Sequence, residues 1–241
     1  MKRLCAALVL VAPLAAWGQT QTHELTGQIG SRPAYLVLHT SRDAQGGWQV
    51  AGEYVVLPTL QRRFLEGDAS PEIGVTTLRE GTTSILFGRP SSGELRGTWR
   101  AGSFRGARFA PGGQERERFE FSEEFPPLDD YGANVDCEAS AGRYWSALSL
   151  AVQAGKLQAI TWRSRVAPSG QACTLSNLQQ QAFEGGLRFA SGPCSVTLRE
   201  VGEYVLLDAQ NCTAQCGSQA YLEPLVIDRR GRCELLRPEA R

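Results

Sequence analysis

The chain has 241 residues, with 25 Lys and Arg against 25 Asp and Glu, and 42% of its residues are hydrophobic. This balance of charge argues against nucleic acid or an anionic membrane surface as a partner. Two histidines, His23 and His39, are the bases available for a catalytic triad. Both are expected at the surface, His23 beside a frayed terminus and His39 at a strand end.

The N-terminus has the three parts of a secretory signal. Lys2 and Arg3 precede an apolar run over residues 4–16, and Ala16-Trp17-Gly18 supplies small residues for cleavage. The run is shorter than the roughly 20 residues that a membrane-spanning helix needs. We therefore predict a cleaved signal peptide over residues 1–18, a periplasmic or secreted mature protein, and no transmembrane segment.

Residues 19–121 contain no cysteine and repeat a short pattern in which an apolar residue and a large residue flank a central glycine at alternate positions. Copies lie at 25–29, 50–54 and 95–99, and a fourth begins at Leu65. Alternate residues of a strand share a face, and a glycine between bulky neighbours lets the strand bend. The pattern predicts a coiled antiparallel meander or small barrel. Its predicted strands are 24–29, 34–40, 48–56, 62–66, 73–79, 83–88, 94–99 and 115–121, the last with alternating charge and expected at an edge or on a solvated face.

The motifs of residues 25–99 follow one another as L-T-G-x-I-G, G-x-Y, L-x-G, T-L-x-E and L-x-G-x-W. This order resembles the small all-β modules of many uncharacterised exported proteins of Gram-negative bacteria. The resemblance implies an exported all-β domain and no particular activity.

Residues 122–136 are acidic and include the pair Pro126-Pro127. Prolines remove backbone donors and acidic side chains resist burial, so this segment is predicted to be a solvated linker. Its functional alternative is an exposed acidic recognition segment.

Residues 137–241 form the predicted second domain, whose strands are expected at 145–152, 156–163, 172–179, 187–190, 194–199, 203–208, 218–228 and 232–236. All six cysteines that remain after the signal peptide lie in this domain, and an even number in an oxidising compartment predicts disulfides. The preferred pairs are Cys194–Cys212 and Cys216–Cys233, with Cys137–Cys173 by elimination, although six cysteines allow about fifteen pairings. The predicted fold class is all-β, with two small antiparallel β-barrel or β-meander domains, the second held by disulfides.

The segment from Cys212 to Tyr221 is the predicted binding loop. Two cysteines hold this turn in one conformation, which lowers the cost of ordering it on binding. Its candidate contact residues are Thr213, Gln215, Gly217, Ser218, Gln219 and Tyr221. The alternative is a strand connector without a binding role. Residues 216–221 also resemble the S-G-x-x-Y segment of the β-barrel inhibitors of c-type lysozyme, although Cys216 replaces the serine and the tryptophan and lysine that follow it in that family are absent.

No spacing in the sequence indicates a catalytic site, a cofactor site or a metal site. Carboxylates that could hydrolyse glycosides are available, but no spacing singles out two of Glu138, Glu184, Glu203 and Glu223. The tryptophans of predicted strands are expected in the core: Trp48, Trp99, Trp145 and Trp162. We therefore expect a non-catalytic binding module of the cell envelope whose partner is an envelope protein or glycan, with the oligomeric state left open. The alternatives are a lysozyme-inhibitor-like protein, an envelope hydrolase with paired carboxylates, and a structural subunit.

Overall fold

The computed structural model describes residues 20–43, 47–68, 74–81, 91–217 and 222–236. The predicted signal peptide and the predicted strand 83–88 lie outside these ranges. Within them the fold is all-β and antiparallel, as the sequence predicted, with a barrel followed by two further sheets. None of the helices in these ranges is long and apolar enough to cross a membrane.

The front part of the described chain is a closed barrel of eight strands. They are β1 (Gln21–Ile29), β2 (Arg32–Arg42), β3 (Trp48–Val56), β4 (Gln61–Asp68), β5 (Val75–Gly81), β6 (Gly93–Arg100), β7 (Ser103–Phe109) and β8 (Glu115–Ser122). The expectation that the last strand lies at an edge is wrong, because β8 pairs with both β1 and β7 and thereby closes the barrel. The alternative expectation, a solvated face, is confirmed: the charged residues of β8 lie on the outside of the barrel, while Phe119 and Phe121 are buried inside. β7 is absent from the predicted strands.

The repeated glycines lie where neighbouring backbones come very close. A Cβ atom at Gly27, Gly52 or Gly97 would overlap a carbonyl oxygen of the adjacent strand. The bulky residues that flank these glycines point into the barrel, as in the fully buried pair Leu95 and Trp99. The pattern therefore builds a strongly coiled barrel with a packed interior.

A charged residue, Glu80, is completely buried inside the barrel. Its carboxylate accepts hydrogen bonds from Tyr54 Oη at 2.7 Å, Arg108 Nε at 2.8 Å and Arg108 Nη2 at 2.7 Å. Burial raises the pKa of Glu80, but the bonds from Arg108 and Tyr54 outweigh this effect and hold the pKa below its usual value. Since both carboxylate oxygens are paired, this network stabilises the barrel and leaves no oxygen free for a ligand.

The second unit consists of two antiparallel sheets that share one core. The first contains β9 (Ala133–Ala141), β10 (Tyr144–Gln153), β11 (Lys156–Val166) and β12 (Gln171–Ser176). The second contains β13 (Gln179–Gln181), β14 (Leu187–Ser191), β15 (Cys194–Val201), β16 (Tyr204–Gln210), β17 (Leu225–Ile227) and β18 (Cys233–Leu235), with the helix α1 (Thr213–Cys216) after β16. Leu150 and Trp162 of the first sheet pack with Phe189, Val196 and Leu207 of the second. β9 was not predicted, since its sequence mixes small and polar residues.

The cysteines of this unit form three disulfides in the described chain: Cys137–Cys233, Cys173–Cys216 and Cys194–Cys212. The predicted oxidation and the pair Cys194–Cys212 are confirmed, whereas the predicted pairs Cys216–Cys233 and Cys137–Cys173 are wrong. The sequence prediction favoured neighbouring cysteines. The structure instead joins β9 to β18 and β12 to α1, because the two sheets stack face to face.

The segment before β9 is not a fully solvated linker as predicted. Pro126 and Pro127 are exposed, but Leu128 is only 3% exposed and belongs to the core of the second unit. β9 already begins at Ala133, within the predicted linker. The segment therefore also anchors the chain to the second unit.

The six-stranded sheet packs on the outside of the barrel. Val55 and Leu57 of the barrel form a buried cluster with Val201, Leu206 and Val226 of the sheet. This apolar contact, which we call the interdomain contact, brings the outer face of the barrel against the back face of the second unit. Beside the contact the two units diverge and leave an open cleft.

Candidate functional site

The interdomain cleft has a volume of about 990 Å³ and lies between the outer face of β1–β4 and the six-stranded sheet. Its lining residues are Gln21, Thr22, His23, Glu24, Tyr35, Val37, His39, Glu53, Val55, Arg62, Glu123, Phe125, Phe183, Glu184, Arg199, Leu206, Asp208, Gln210, Asn211, Glu223, Pro224 and Leu236. A second concavity of about 850 Å³ continues along the barrel and shares Val37, His39, Glu53 and Arg62 with the cleft. The two together form one groove.

Strand pairing places the barrel wall of the cleft in register. Glu24 of β1 lies opposite Val37 of β2, which in turn lies opposite Glu53 of β3. These are the outward positions of strands whose alternate residues fill the barrel. Arg62 of β4 donates to both oxygens of Glu53, from Nε at 2.7 Å and from Nη2. The barrel wall thus presents a row of two carboxylates with an arginine fixed beside it.

The opposite wall comes from β15 and β16. Arg199 and Leu206 are directly paired residues of these strands, and Asp208 follows on the same face. Burial raises the pKa of Asp208, although hydrogen bonds to its carboxylate, among them one from Gln210 at 3.1 Å, act in the opposite direction. Gln210 also donates to Glu24 Oε1 at 3.3 Å, and this bond joins the two walls.

The guanidinium of Arg199 is held between aromatic rings. Its Cζ lies 4.6 Å from the ring centre of Phe125 and 5.3 Å from that of Phe183. It also forms an ion pair with Glu24 across the cleft. Burial lowers the pKa of Arg199. The cleft therefore already stabilises one buried cation by stacking and by charge.

Glu223 is the most deeply buried carboxylate of the lining, with 4% of its surface exposed. Its Oε2 has no hydrogen-bond partner among the residues that the structure describes. Burial raises the pKa of Glu223 to about 8; Arg62 lowers it, and the charges of Glu53 and Asp208 raise it further. The side chain is consequently protonated at neutral pH and has an unused oxygen.

His23 is 8% exposed, so the expectation that it lies at the surface is wrong. Its Nδ1 lies 2.6 Å from Glu123 Oε1, its Nε2 lies 3.3 Å from Thr40 Oγ1, and its ring packs edge-on against Trp99. This order of groups resembles a catalytic triad. However, Thr40 is fully buried, so its hydroxyl is closed to a substrate and the arrangement fixes the start of β1. His39 is exposed, as expected.

The predicted binding loop is only partly described. Thr213, Gln215 and Gly217 are exposed and are not among the residues that line the cleft, while Ser218, Gln219 and Tyr221 lie outside the described residues. Gln215 Nε2 donates to Ser191 O at 2.8 Å, and two disulfides flank the helix α1. The described part of the loop, residues 212–217, is thus held in place by these contacts, and the binding role of the loop stays a prediction.

The candidate carboxylates divide between two places. Glu184 and Glu223 line the cleft, whereas Glu138 and Glu203 are exposed elsewhere on the second unit. Among the described residues, no three His, Cys, Asp or Glu side chains converge closely enough to hold a metal ion.

Two of the four tryptophans of the predicted strands are core residues, as expected, and the expectation is wrong for the other two. Trp99 and Trp162 are fully buried, but Trp48 and Trp145 are partly exposed beneath the guanidinium groups of Arg42 and Arg165.

Sequence reasoning missed Glu53 and Asp208. The available signal was a carboxylate that follows apolar residues within a predicted strand, as Asp208 does in Leu206-Leu207-Asp208. The comparisons of this chain with protein-family models, with curated proteins and with solved structures find no match.

Proposed function

We propose that the protein is an exported, non-catalytic binding protein of the cell envelope whose ligand occupies the interdomain cleft. The observation that carries this proposal is a cleft of about 990 Å³ whose walls belong to two β units and combine aromatic rings with buried polar groups. Ligand sites of roughly 300–1,000 Å³ at domain interfaces are typical of small-molecule binding. The three disulfides support an oxidising, extracytoplasmic compartment.

The arrangement of the walls favours a pre-formed site. The interdomain contact fixes the units on one side, and the pairs Glu24–Arg199 and Glu24–Gln210 fix them across the cleft. A pre-formed site avoids much of the ordering cost of binding. The continuation of the cleft along the barrel provides room for an elongated ligand such as a peptide or an oligosaccharide.

The test is a cleft-filling substitution with a matched control. Val37 lies on the barrel wall of the cleft, whereas Val75 lies on β5 and is 76% exposed. Binding of fractionated envelope peptides, oligosaccharides and small metabolites is measured by native mass spectrometry. Val37→Trp is expected to abolish binding of the retained ligand and Val75→Trp to preserve it. If both variants keep the same ligand, the cleft is not the binding site.

A hydrolase with paired carboxylates is the second candidate, because Glu223 shares the cleft with Glu53 and Asp208. A carboxyl group with a pKa near 8 is suited to act as a general acid. The mechanism also needs an ionised partner, whereas burial raises the pKa of Asp208 as well. Hydrolysis of chromogenic glycosides that Glu223→Gln abolishes would favour the enzyme, and its absence favours the binding protein.

Inhibition of c-type lysozyme is a proposal that rests on the resemblance of residues 216–221 alone. A lysozyme activity assay with the intact protein tests it. Inhibition that Val37→Trp leaves unchanged would place that activity outside the cleft, and its loss on replacing Gln219 and Tyr221 by alanine would assign it to the predicted binding loop.

A further inference from the structure

We propose that the ligand of the interdomain cleft is an organic cation with a primary ammonium group, which Glu223 binds while Glu53 and Asp208 contribute negative charge nearby. This inference rests on the proposed function, since it names the chemical class that the cleft accepts. The three carboxylates come from different parts of the fold, with Glu53 on the barrel wall and the other two on the wall opposite.

The unused oxygen of Glu223 is the first observation. A buried polar atom without a hydrogen-bond partner destabilises the folded state, and native structures contain few of them. Glu223 is 4% exposed and its Oε2 has no partner among the described residues, although the side chain lines an open cleft. Oε2 itself has almost no accessible surface, so Glu223 has to rotate to bring this oxygen to the cleft, where an ammonium group would supply the missing donor.

The charge of the lining is the second observation. The described residues around the cleft include six carboxylates and two arginines. Arg62 is engaged by Glu53 and Arg199 by Glu24. The same two arginines also act on Glu223 and Asp208, and His23 Nδ1 lies 2.6 Å from Glu123 Oε1. The six carboxylates nevertheless outnumber the two arginines and two histidines of the described lining, so the cleft attracts a cation and repels an anion.

The environment of Arg199 is the third observation. Phe125 and Phe183 lie over its guanidinium while Glu24 pairs with it, so the same walls already hold a cation away from water. Asp208 and Glu223 continue this acidic, partly aromatic surface beyond the arginine, with Tyr35 on the facing barrel wall. A ligand ammonium beside them would meet the same combination of charge and ring contact.

Binding of an ammonium ligand should release the proton of Glu223. Glu223 carries a proton at neutral pH because burial and the charges of Glu53 and Asp208 raise its pKa to about 8 against the effect of Arg62. An ammonium group in contact favours the ionised carboxylate, so binding expels that proton. At pH 7 about 0.9 proton should leave per ligand, and affinity should rise about 50-fold between pH 6 and pH 8.

The experiment is isothermal titration calorimetry of the full-length mature protein with cadaverine, in buffers of different ionisation enthalpy. Both amines of this probe stay charged up to pH 8, as a lysine side chain does. We expect saturable binding with proton release at pH 7. End-blocked tri-lysine is titrated in parallel: tighter binding than cadaverine identifies a basic peptide as the source of the ammonium, and weaker binding identifies a small polyamine.

Two variants isolate the role of Glu223. Glu223→Gln keeps the shape of the side chain but cannot ionise, so it should bind cadaverine at least tenfold more weakly at pH 8 and release no proton. Glu203→Gln removes an exposed carboxylate outside the cleft and should bind as the wild-type protein does. Near-ultraviolet circular dichroism and a disulfide map show whether each variant has folded.

Three outcomes overturn the inference. They are the absence of cadaverine and tri-lysine binding, binding that Glu223→Gln leaves unchanged, and displacement of the ammonium probes by calcium at equal concentration. A neutral oligosaccharide that binds without proton release and is lost in Val37→Trp would refute the ammonium ligand while leaving the binding function in place. If the wild-type protein binds none of the tested ligands, both the ammonium ligand and the proposed binding function are refuted.

Discussion

Replacing Glu223 with glutamine should make the protein more stable at neutral pH. Glu223 is buried, and its Oε2 has no partner among the described residues. In the folded chain its pKa is about 8, against an ordinary value of 4.5. Glutamine has nearly the same size and stays neutral at every pH. The substitution therefore removes the titration while retaining the shape.

The magnitude follows from proton linkage. Between pH 4.5 and pH 8 the unfolded chain has lost the proton of Glu223 while the folded chain keeps it, so rising pH favours the unfolded state. Each pH unit in this window costs about 1.4 kcal/mol. The wild-type protein should thus lose about 3 kcal/mol between pH 4.5 and pH 7, a loss that Glu223→Gln avoids.

Urea unfolding with intact disulfides, followed by tryptophan fluorescence, measures this difference. Glu223→Gln should exceed the wild-type free energy of unfolding by about 3 kcal/mol at pH 7 and match it at pH 4. Glu184→Gln, which alters an exposed carboxylate of the same cleft, is the matched control and should have little effect at either pH. A Glu223→Gln variant that is less stable at pH 7, or whose advantage is equal at both pH values, would refute the reasoning. An increase in stability when a buried acid is replaced is also expected where that acid is retained for binding.

The remaining predictions concern the barrel, the interdomain contact and the disulfides. Glu80→Ala should lower the free energy of unfolding by about 3–5 kcal/mol in urea titrations, because the buried Tyr54 hydroxyl and the partly buried Arg108 guanidinium lose their hydrogen bonds to this carboxylate. A loss below about 1 kcal/mol would contradict the network. Gly202→Ala should lower the Tm more than Gly142→Ala. Both glycines have a positive φ, +63° at Gly202 and +58° at Gly142, so both substitutions strain the backbone. Only at position 202 would the added Cβ atom also overlap another residue, Pro33, whose Cγ lies 2.6 Å away, whereas nothing lies within 4 Å of a Cβ atom at position 142. Equal decreases in Tm would mean that the barrel and the second unit can separate at this point without an energetic cost. Non-reducing peptide mapping should recover a Cys137–Cys233 peptide, and a Cys137–Cys173 peptide would contradict the fold.

The sequence by itself determined the class of fold, because that information is local. Alternation of apolar residues with period two requires strands, and the central glycines at 27, 52 and 97 allow the strands to coil into a barrel. An even number of cysteines likewise predicted that all would be oxidised. None of these inferences depends on which strand lies beside which.

Only the tertiary structure decided the features that require residues far apart in sequence to come together. Cys137 pairs with Cys233 across 96 residues because two sheets stack, an arrangement that no spacing in the sequence specifies. The cleft has the same origin: Glu53 and Asp208 sit on solvent-facing positions of separate units, and each looks like an ordinary surface carboxylate until the units pack together. That packing also buries Glu223, raises its pKa and leaves one of its oxygens without a described partner, because burial is a property of the assembled chain and not of its local sequence.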